Sequence, residues 1–211
     1  MTVVRGFLSH SLRSPARVSI VVGAGGPDTT WSYHELRRGV LAVARALRAE
    51  FGMVPGPEVR IAVLLGNRKE FLEIFLGAAV VGIPVMVLDP AWSEAELASV
   101  LEDTVPARLF SDTSAAALAE VPLPADTVVD VAESDSGAGG SGPGFAEWLR
   151  RFGENEPSGC DGGFGAVPDS APFYVGFTSG STGRPKGAVR SHRSWVRTFE
   201  HYTSGFGISE A

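Results

Sequence analysis

The sequence has one cysteine, Cys160, among 211 residues. It therefore cannot close an internal disulfide or supply a cysteine-rich metal site, and a reducing cytoplasm is the expected compartment. It has no excess of cations either: 18 Lys and Arg stand against 24 Asp and Glu, a net charge of −6. That balance excludes the basic footprint of a protein that tracks a nucleic-acid backbone, and the polybasic patch of one held on an anionic membrane. Long apolar runs are missing as well. The longest, Phe75 to Leu88, covers 14 residues, contains Pro84 and lies between Glu73 and Asp89; a spanning helix needs roughly 18. Arg5, Arg13 and Arg17 are followed by no apolar core or small-residue cleavage site, so no signal peptide is expected. The four histidines, His10, His34, His192 and His201, show no metal-ligand spacing, and no metal site is expected.

What is present is a globular composition, 44% hydrophobic and 20% charged, in a chain long enough for one large domain or two small ones. The chain opens with a helix, an extended pair (Val18 to Val22 and Thr29 to Trp31) and a second helix. Ser32 with Glu35 forms a capping box for that helix, Trp31 and Leu36 take the staple positions, and Gly52 marks its end. Leu36, Val40, Val43, Ala44 and Leu47 give it one apolar face. Strand and helix then alternate. Strands are predicted at Val59–Leu65, Pro84–Leu88, Arg108–Phe110 and Thr127–Val131. Between them lie a helix capped by Asn67 that stops soon after Gly82 and another opened by Ser93 and Glu96. Strands separated by helices of this length predict βαβ units, and so a largely parallel sheet with flanking helices.

Ten of the 26 glycines fall between Gly137 and Gly165. This stretch reads as a flexible surface connection in which only Phe145 to Phe152, centred on Trp148, has a helical look. Gly137 to Gly142 fits a dinucleotide fingerprint by letter, but Pro143–Gly144 follows where a helix should begin, which favours a linker. Cys160 lies in the same stretch with no evident base near it, so it reads as an incidental thiol. Asp89–Pro90 reads as a strand end and turn.

A strand at Phe173–Phe177 leads into Thr178–Ser–Gly–Ser–Thr–Gly–Arg–Pro–Lys–Gly187. Glycines let backbone N–H groups converge on an anion, hydroxyls donate further hydrogen bonds and an ammonium offsets charge. Those are the needs of a polyphosphate. The segment is not a Walker A loop, since Pro185 precedes Lys186 where Gly should stand and Gly187 follows where Ser or Thr should. By composition a Ser/Thr/Gly surface turn remains open as the alternative. His192, shortly after the segment, either lines the site or merely starts a helix beside Ser191. His34 is expected to be exposed.

Thr178 to Gly187 resembles the phosphate-binding signature of the AMP-forming adenylate-forming ligases, which include acyl-CoA synthetases, peptide-synthetase adenylation domains and luciferases. Thr30–Leu36 is similar to the helix-opening motif near the start of these enzymes, and Leu76–Pro90 to their helix-to-strand motif. Phe173–Phe177 and Arg190–Trp195 look most like the free-standing bacterial acyl-CoA ligases. The resemblance implies an α/β N-terminal subdomain: a βαβ-rich part at 1–132, the glycine-rich connection at 133–171 and a phosphate-loop segment at 172–211. It implies that Thr178, Ser179, Ser181, Thr182 and Lys186, with the backbone of Gly180 and Gly183, bind the ATP β- and γ-phosphates, and that Arg184 points to solvent. ATP, Mg²⁺ and coenzyme A (or a carrier pantetheine) are the implied cofactors and substrates. The expected activity is conversion of a carboxylate to an acyl adenylate and then a thioester. The alternatives are an adenylation domain loading a carrier protein and a truncated, non-catalytic remnant. Lys186 stands close to Ala211, so the family's adenine, ribose and hinge motifs and its C-terminal domain are expected to be absent, and no catalytic residue is assigned.

Overall fold

Local chemistry starts the helices, and apolar patterning decides which way they pack. The computed structural model describes residues 2–23, 28–52, 58–113, 118, 121, 123–124, 126–132, 143–153, 167–178 and 184–207. Helix α1 (Val3–Arg13) precedes a hairpin of β1 (Val18–Val22) and β2 (Thr29–Ser32), which runs directly into α2 (Tyr33–Phe51). Ser32 Oγ accepts the Glu35 N–H at 3.2 Å while Glu35 Oε2 accepts the Ser32 N–H at 2.8 Å. Two donors that a helix start leaves unpaired are thus satisfied at once. Then follow β3 (Ile61–Leu64), α3 (Lys69–Val81), β4 (Val85–Val87), α4 (Glu94–Thr104), β5 (Arg108–Ser111) and β6 (Val128–Asp130). The Ser93–Glu96 pair repeats the capping box at α4. The start of α3 differs from expectation by one residue. Arg68 takes the cap position in place of Asn67, and its side chain turns to Glu70 at 2.8 Å instead of capping the helix.

Helix α5 (Phe145–Gly153), strands β7 (Pro172–Thr178) and β8 (Lys186–Ser191), and α6 (His192–Phe206) complete the described elements. Six strands form one sheet in the order β6-β5-β3-β4-β7-β8, parallel throughout except for the antiparallel β7–β8 pair. The fold is therefore the α/β sheet with flanking helices that the alternation predicts. On one face Ile61, Val63, Val85 and Phe110 pack with α2, α3 and α5. On the other, Ala62, Leu64, Met86 and Leu109 pack with α4. Helices α2 and α3 approach closely at Gly77, where a Cβ would lie 2.7 Å from Val43 and 2.9 Å from the Val40 carbonyl oxygen.

Helix α5, within the glycine-rich stretch, is anchored in the core. Trp148 is 1% exposed and meets Phe110 edge-on at 5.0 Å. Its Nε1–H donates to Glu50 Oε2 at 3.0 Å, and Glu50 also pairs with the Arg108 guanidinium. An indole N–H buried beside a carboxylate has the partner it needs. Among the described residues no helix is long and apolar enough to cross a membrane.

Candidate functional site

The sheet order creates a crevice that no local motif reveals. Strands β3 and β4 are parallel neighbours, yet α3 leaves β3 toward one face and α4 leaves β4 toward the other. Loops that diverge from adjacent strand ends open a cleft at the carboxyl edge of a parallel sheet, which is where α/β proteins bind ligands. A cleft of about 930 Å³ lies there. Gly66, Asn67 and Arg68 line it from the loop after β3, and Asp89, Pro90 and Trp92 from the loop after β4. Phe177 and Thr178, the last residues of β7, and Ile20 to Val22 of β1 add further wall.

The candidate phosphate loop leaves β7 at Thr178, which lines this cleft. Thr178 and Lys186 are register partners across the β7–β8 pair, so a hydroxyl and an ammonium are carried on opposed positions at the mouth of the hairpin. Both are exposed, as is Arg184. Ser179, Gly180, Ser181, Thr182 and Gly183 lie outside the described residues. The site's walls are fixed by packing behind it. Trp92 meets Phe177 edge-on at 5.4 Å, tying the loop after β4 to the end of β7. Asp89 Oδ1 accepts the Ala91 N–H at 2.9 Å, so Asp89–Pro90 is the turn expected of it while also lining the cleft.

Arg68 is a cleft residue that the sequence reading passed over. Its Nε donates to Glu70 at 2.8 Å, and Nη1 lies 3.7 Å from Asp112 Oδ2, which also accepts the Gly66 N–H at 3.0 Å. Burial pushes the Glu70 carboxyl up, but the Arg68 hydrogen bond and the charges of Arg68 and Lys69 outweigh it, leaving the group below its ordinary value. Glu73 goes the other way. Burial raises it against the opposing Lys69 hydrogen bond at 2.7 Å.

His192 has the structural role of the two that the sequence left open. It is the first residue of α6, fully buried, and stacks on Phe173 at 4.7 Å. Neither ring nitrogen has a hydrogen-bond partner among the described residues. Burial lowers its pKa, against the smaller pull of the Asp169 charge. His34 is exposed, as expected. Among the described residues no group of three or more His, Cys, Asp or Glu is placed to hold a metal ion.

The family model for AMP-binding enzymes matches residues 8–209, nearly the whole chain. The chain belongs to the AMP-binding enzyme family. An uncharacterised acyl–CoA ligase of Bacillus subtilis, YhfT, is 30% identical over 99% of this chain and 38% of its own length. A fatty acid–[acyl-carrier-protein] ligase of Streptomyces coeruleorubidus, ScoC, is 30% identical over 92% of this chain and 34% of its own. The chain thus spans little more than a third of the length of these two relatives. A fatty acyl-adenylate ligase from L. pneumophila, solved with acyl adenylate and pyrophosphate, superposes with a TM-score of 0.73 over 99% of this chain and 33% of its own, at 18% identity. That likeness establishes the shared fold of this AMP-binding chain.

Proposed function

We propose that this chain is the ATP-phosphate-binding portion of an AMP-forming carboxylic acid–thiol ligase, with an acyl-CoA synthetase as the first reading. The observation that carries it is that Thr178, which lines the switch-point cleft, is the register partner of Lys186. The hydroxyl donates to a phosphate oxygen and the ammonium offsets its charge. Family resemblance adds Ser179, Ser181 and Thr182 as further donors, with the backbone of Gly180 and Gly183 wrapping the β- and γ-phosphates. When a carboxylate attacks the α-phosphorus, the P–O bond breaks and its electron pair leaves with pyrophosphate. Donors already aimed at that leaving group stabilise the charge as it develops, without reorganising at the moment of reaction. Mg²⁺ would enter with the nucleotide phosphates. A thiol then takes the acyl group, either from coenzyme A or from the pantetheine of a carrier protein. The Bacillus relative supports the first acceptor and the Streptomyces relative the second.

The proposed division keeps residues 172–211 as the phosphate-loop segment and 1–132 as the βαβ part that builds the cleft, joined through 133–171. The single thiol Cys160 suits a reducing cytoplasm. Relatives about three times as long support a further C-terminal part for turnover, so the 211 residues alone are expected to be inactive. ATP–pyrophosphate exchange tests both statements with a panel of fatty and aromatic acids. Acid-dependent exchange is expected from a longer polypeptide that joins these residues to the remainder of an adenylate-forming fold. No exchange there with any acid would overturn the function, and robust exchange by the 211-residue chain would overturn the need for the remainder.

A further inference from the structure

Strand β7 carries one residue more than its pairing with β8 accounts for. Pro172 pairs with Ser191 and Tyr174 with Arg190, so two steps along β7 answer one along β8, and Phe173 has no cross-strand partner. An extra residue of this kind is a β-bulge. Successive side chains of a regular strand point to opposite faces, but Phe173 and Tyr174 do not. Both rings meet Phe75 of α3, at 4.8 and 6.0 Å, and both meet Trp195 of α6, at 5.8 and 5.5 Å. The bulge thus lets two consecutive residues serve one aromatic cluster, and pairing Phe173 regularly would turn one of the two rings away from it.

Everything beyond the bulge takes its register from it. From Tyr174–Arg190 the pairing runs without a further shift to Thr178–Lys186. Were Phe173 to pair with Arg190 instead, Phe177 would face Lys186 and Thr178 would face Pro185. Opposed residues of an antiparallel pair share a face, so that slip would carry Lys186 to the face away from Thr178. His192 fastens the bulge from α6. Its ring is fully buried and stacks on Phe173 at 4.7 Å, with the planes 26° apart. Its backbone N–H donates to the Ala171 carbonyl at 3.2 Å and that of Arg193 to the Asp169 carbonyl at 2.7 Å, so the start of α6 is tied to the chain entering β7. Neither ring nitrogen has a hydrogen-bond partner among the described residues, which leaves the flat face of the ring as the working contact.

We propose that Phe173 and His192 form a register lock: they are positioning residues that keep Thr178 and Lys186 partners on one face of the hairpin. The proposal rests on the reading of that pair as phosphate-binding. Phe173 lies five residues before Thr178, about 17 Å along the strand, so the lock acts through the pairing of β7 with β8 and not by contact with the nucleotide. What it needs at position 192 is a flat ring. Phenylalanine should therefore serve there, and alanine should not.

The test reads register and chemistry separately. In the 211-residue chain, cross-strand NMR contacts of Val175 with Val189 and of Phe177 with Gly187 report the observed register, and contacts of Tyr174 with Val189 and of Phe177 with Lys186 report the slipped one. His192→Ala should add the slipped set and speed amide exchange in β8 roughly tenfold, the upper end of what one aromatic pair contributes. The amides of Ile61–Leu64 should keep their protection, showing that the sheet is intact. In the longer polypeptide, His192→Ala should raise the KM for ATP in pyrophosphate exchange roughly tenfold, as for a weakened contact to phosphate, and leave the KM for the acid unchanged. His192→Phe should restore the register and the ATP KM together. Should the alanine variant fail to fold, Trp195→Leu removes a half-buried ring from the same cluster and should move both readouts in the same direction. Register contacts and β8 exchange unchanged in His192→Ala and Trp195→Leu would overturn the lock. Equal rises in the KM for ATP and for the acid would show general loosening and overturn the positioning role. Slipped contacts in the 211-residue chain, together with no exchange by any form of the longer polypeptide, would support the lock and overturn the phosphate reading instead.

Discussion

Strands β3 and β8 belong to the same sheet and are held in opposite ways. Every residue of Ile61–Leu64 is at most 2% exposed, with α2 and α3 on one face and α4 on the other. The first four residues of β8, Lys186 to Val189, are all exposed, Val189 by 65%. β3 is specified by what surrounds it, whereas β8 is specified by its register with β7 and by little else. The difference separates what holds this fold together from the proposed phosphate-binding end of the hairpin. The buried parallel strands fix where the cleft opens, and the exposed hairpin end carries polar groups that no packing demands. Substitutions in the two regions should therefore fail in different ways.

The largest effect is expected in the buried region. Phe110 is fully buried in the cluster that joins the sheet to α2, α3 and α5. Phe110→Ala should cost about 3–5 kcal/mol, a large part of the roughly 5–15 kcal/mol that holds a domain folded. Urea unfolding measures it, and a loss below about 1 kcal/mol would break the contrast between the two regions.

Trp148→Phe sharpens the same contrast by keeping a ring and removing one donor. Glu50 would lose the indole hydrogen bond while staying beside Arg108. The expected cost is about 1–3 kcal/mol, the penalty for depriving a buried acceptor. Adding Glu50→Gln should then cost less than the two changes summed. Strict additivity in that double-mutant cycle would deny the coupling.

His192 tests the buried base of α6 through pH. The unfolded chain takes up this proton near the ordinary value of about 6.5, while burial delays uptake in the folded state to lower pH. Stability should therefore fall as pH drops from that ordinary value toward the depressed one, and then level off. Glu73, raised by burial, adds a term of opposite sign in the acidic range, where falling pH favours the fold. Comparing urea midpoints at several pH values for wild type and His192→Phe isolates the histidine. The phenylalanine variant should lose that part of the pH dependence while remaining nearly as stable at pH 8. Parallel curves for the two proteins would contradict the assignment.

How much of this was readable in the sequence follows the same division. The capping boxes at Ser32 and Ser93 were legible because each is local, spanning three residues. The α3 cap moved from Asn67 to Arg68, in a loop whose side chains answer to Glu70 and Asp112, groups that a local cap rule does not weigh. Strand β8 left no apolar alternation to read, because most of its residues face solvent. Helix α5 was legible as a helical stretch from Phe145 to Phe152, but its burial was not, because the surrounding glycines read as a surface connection while Trp148 is buried against Phe110. The cleft was not legible at all, because it depends on α3 and α4 taking opposite faces, a property of strand order. Nor was the path of the Tyr174 phenol over Gly176, two residues on in β7, where a Cβ would lie 2.5 Å from its hydroxyl. For the phosphate-binding reading, the sequence supplied the residue set, and the structure contributes the register pairing of Lys186 with Thr178, which lines the cleft.

The most direct test of the central claim changes Lys186 alone and measures stability and chemistry together. Lys186 is exposed at the start of β8, so Lys186→Ala should leave the unfolding midpoint within about 0.5 kcal/mol of wild type. Pyrophosphate exchange by the longer polypeptide should fall roughly 10- to 100-fold, the loss of one charge-assisted contact to phosphate of about 1.5–3 kcal/mol. An unchanged exchange rate would remove Lys186 from the site. A collapsed unfolding midpoint would show that the hairpin end serves the fold and not the reaction.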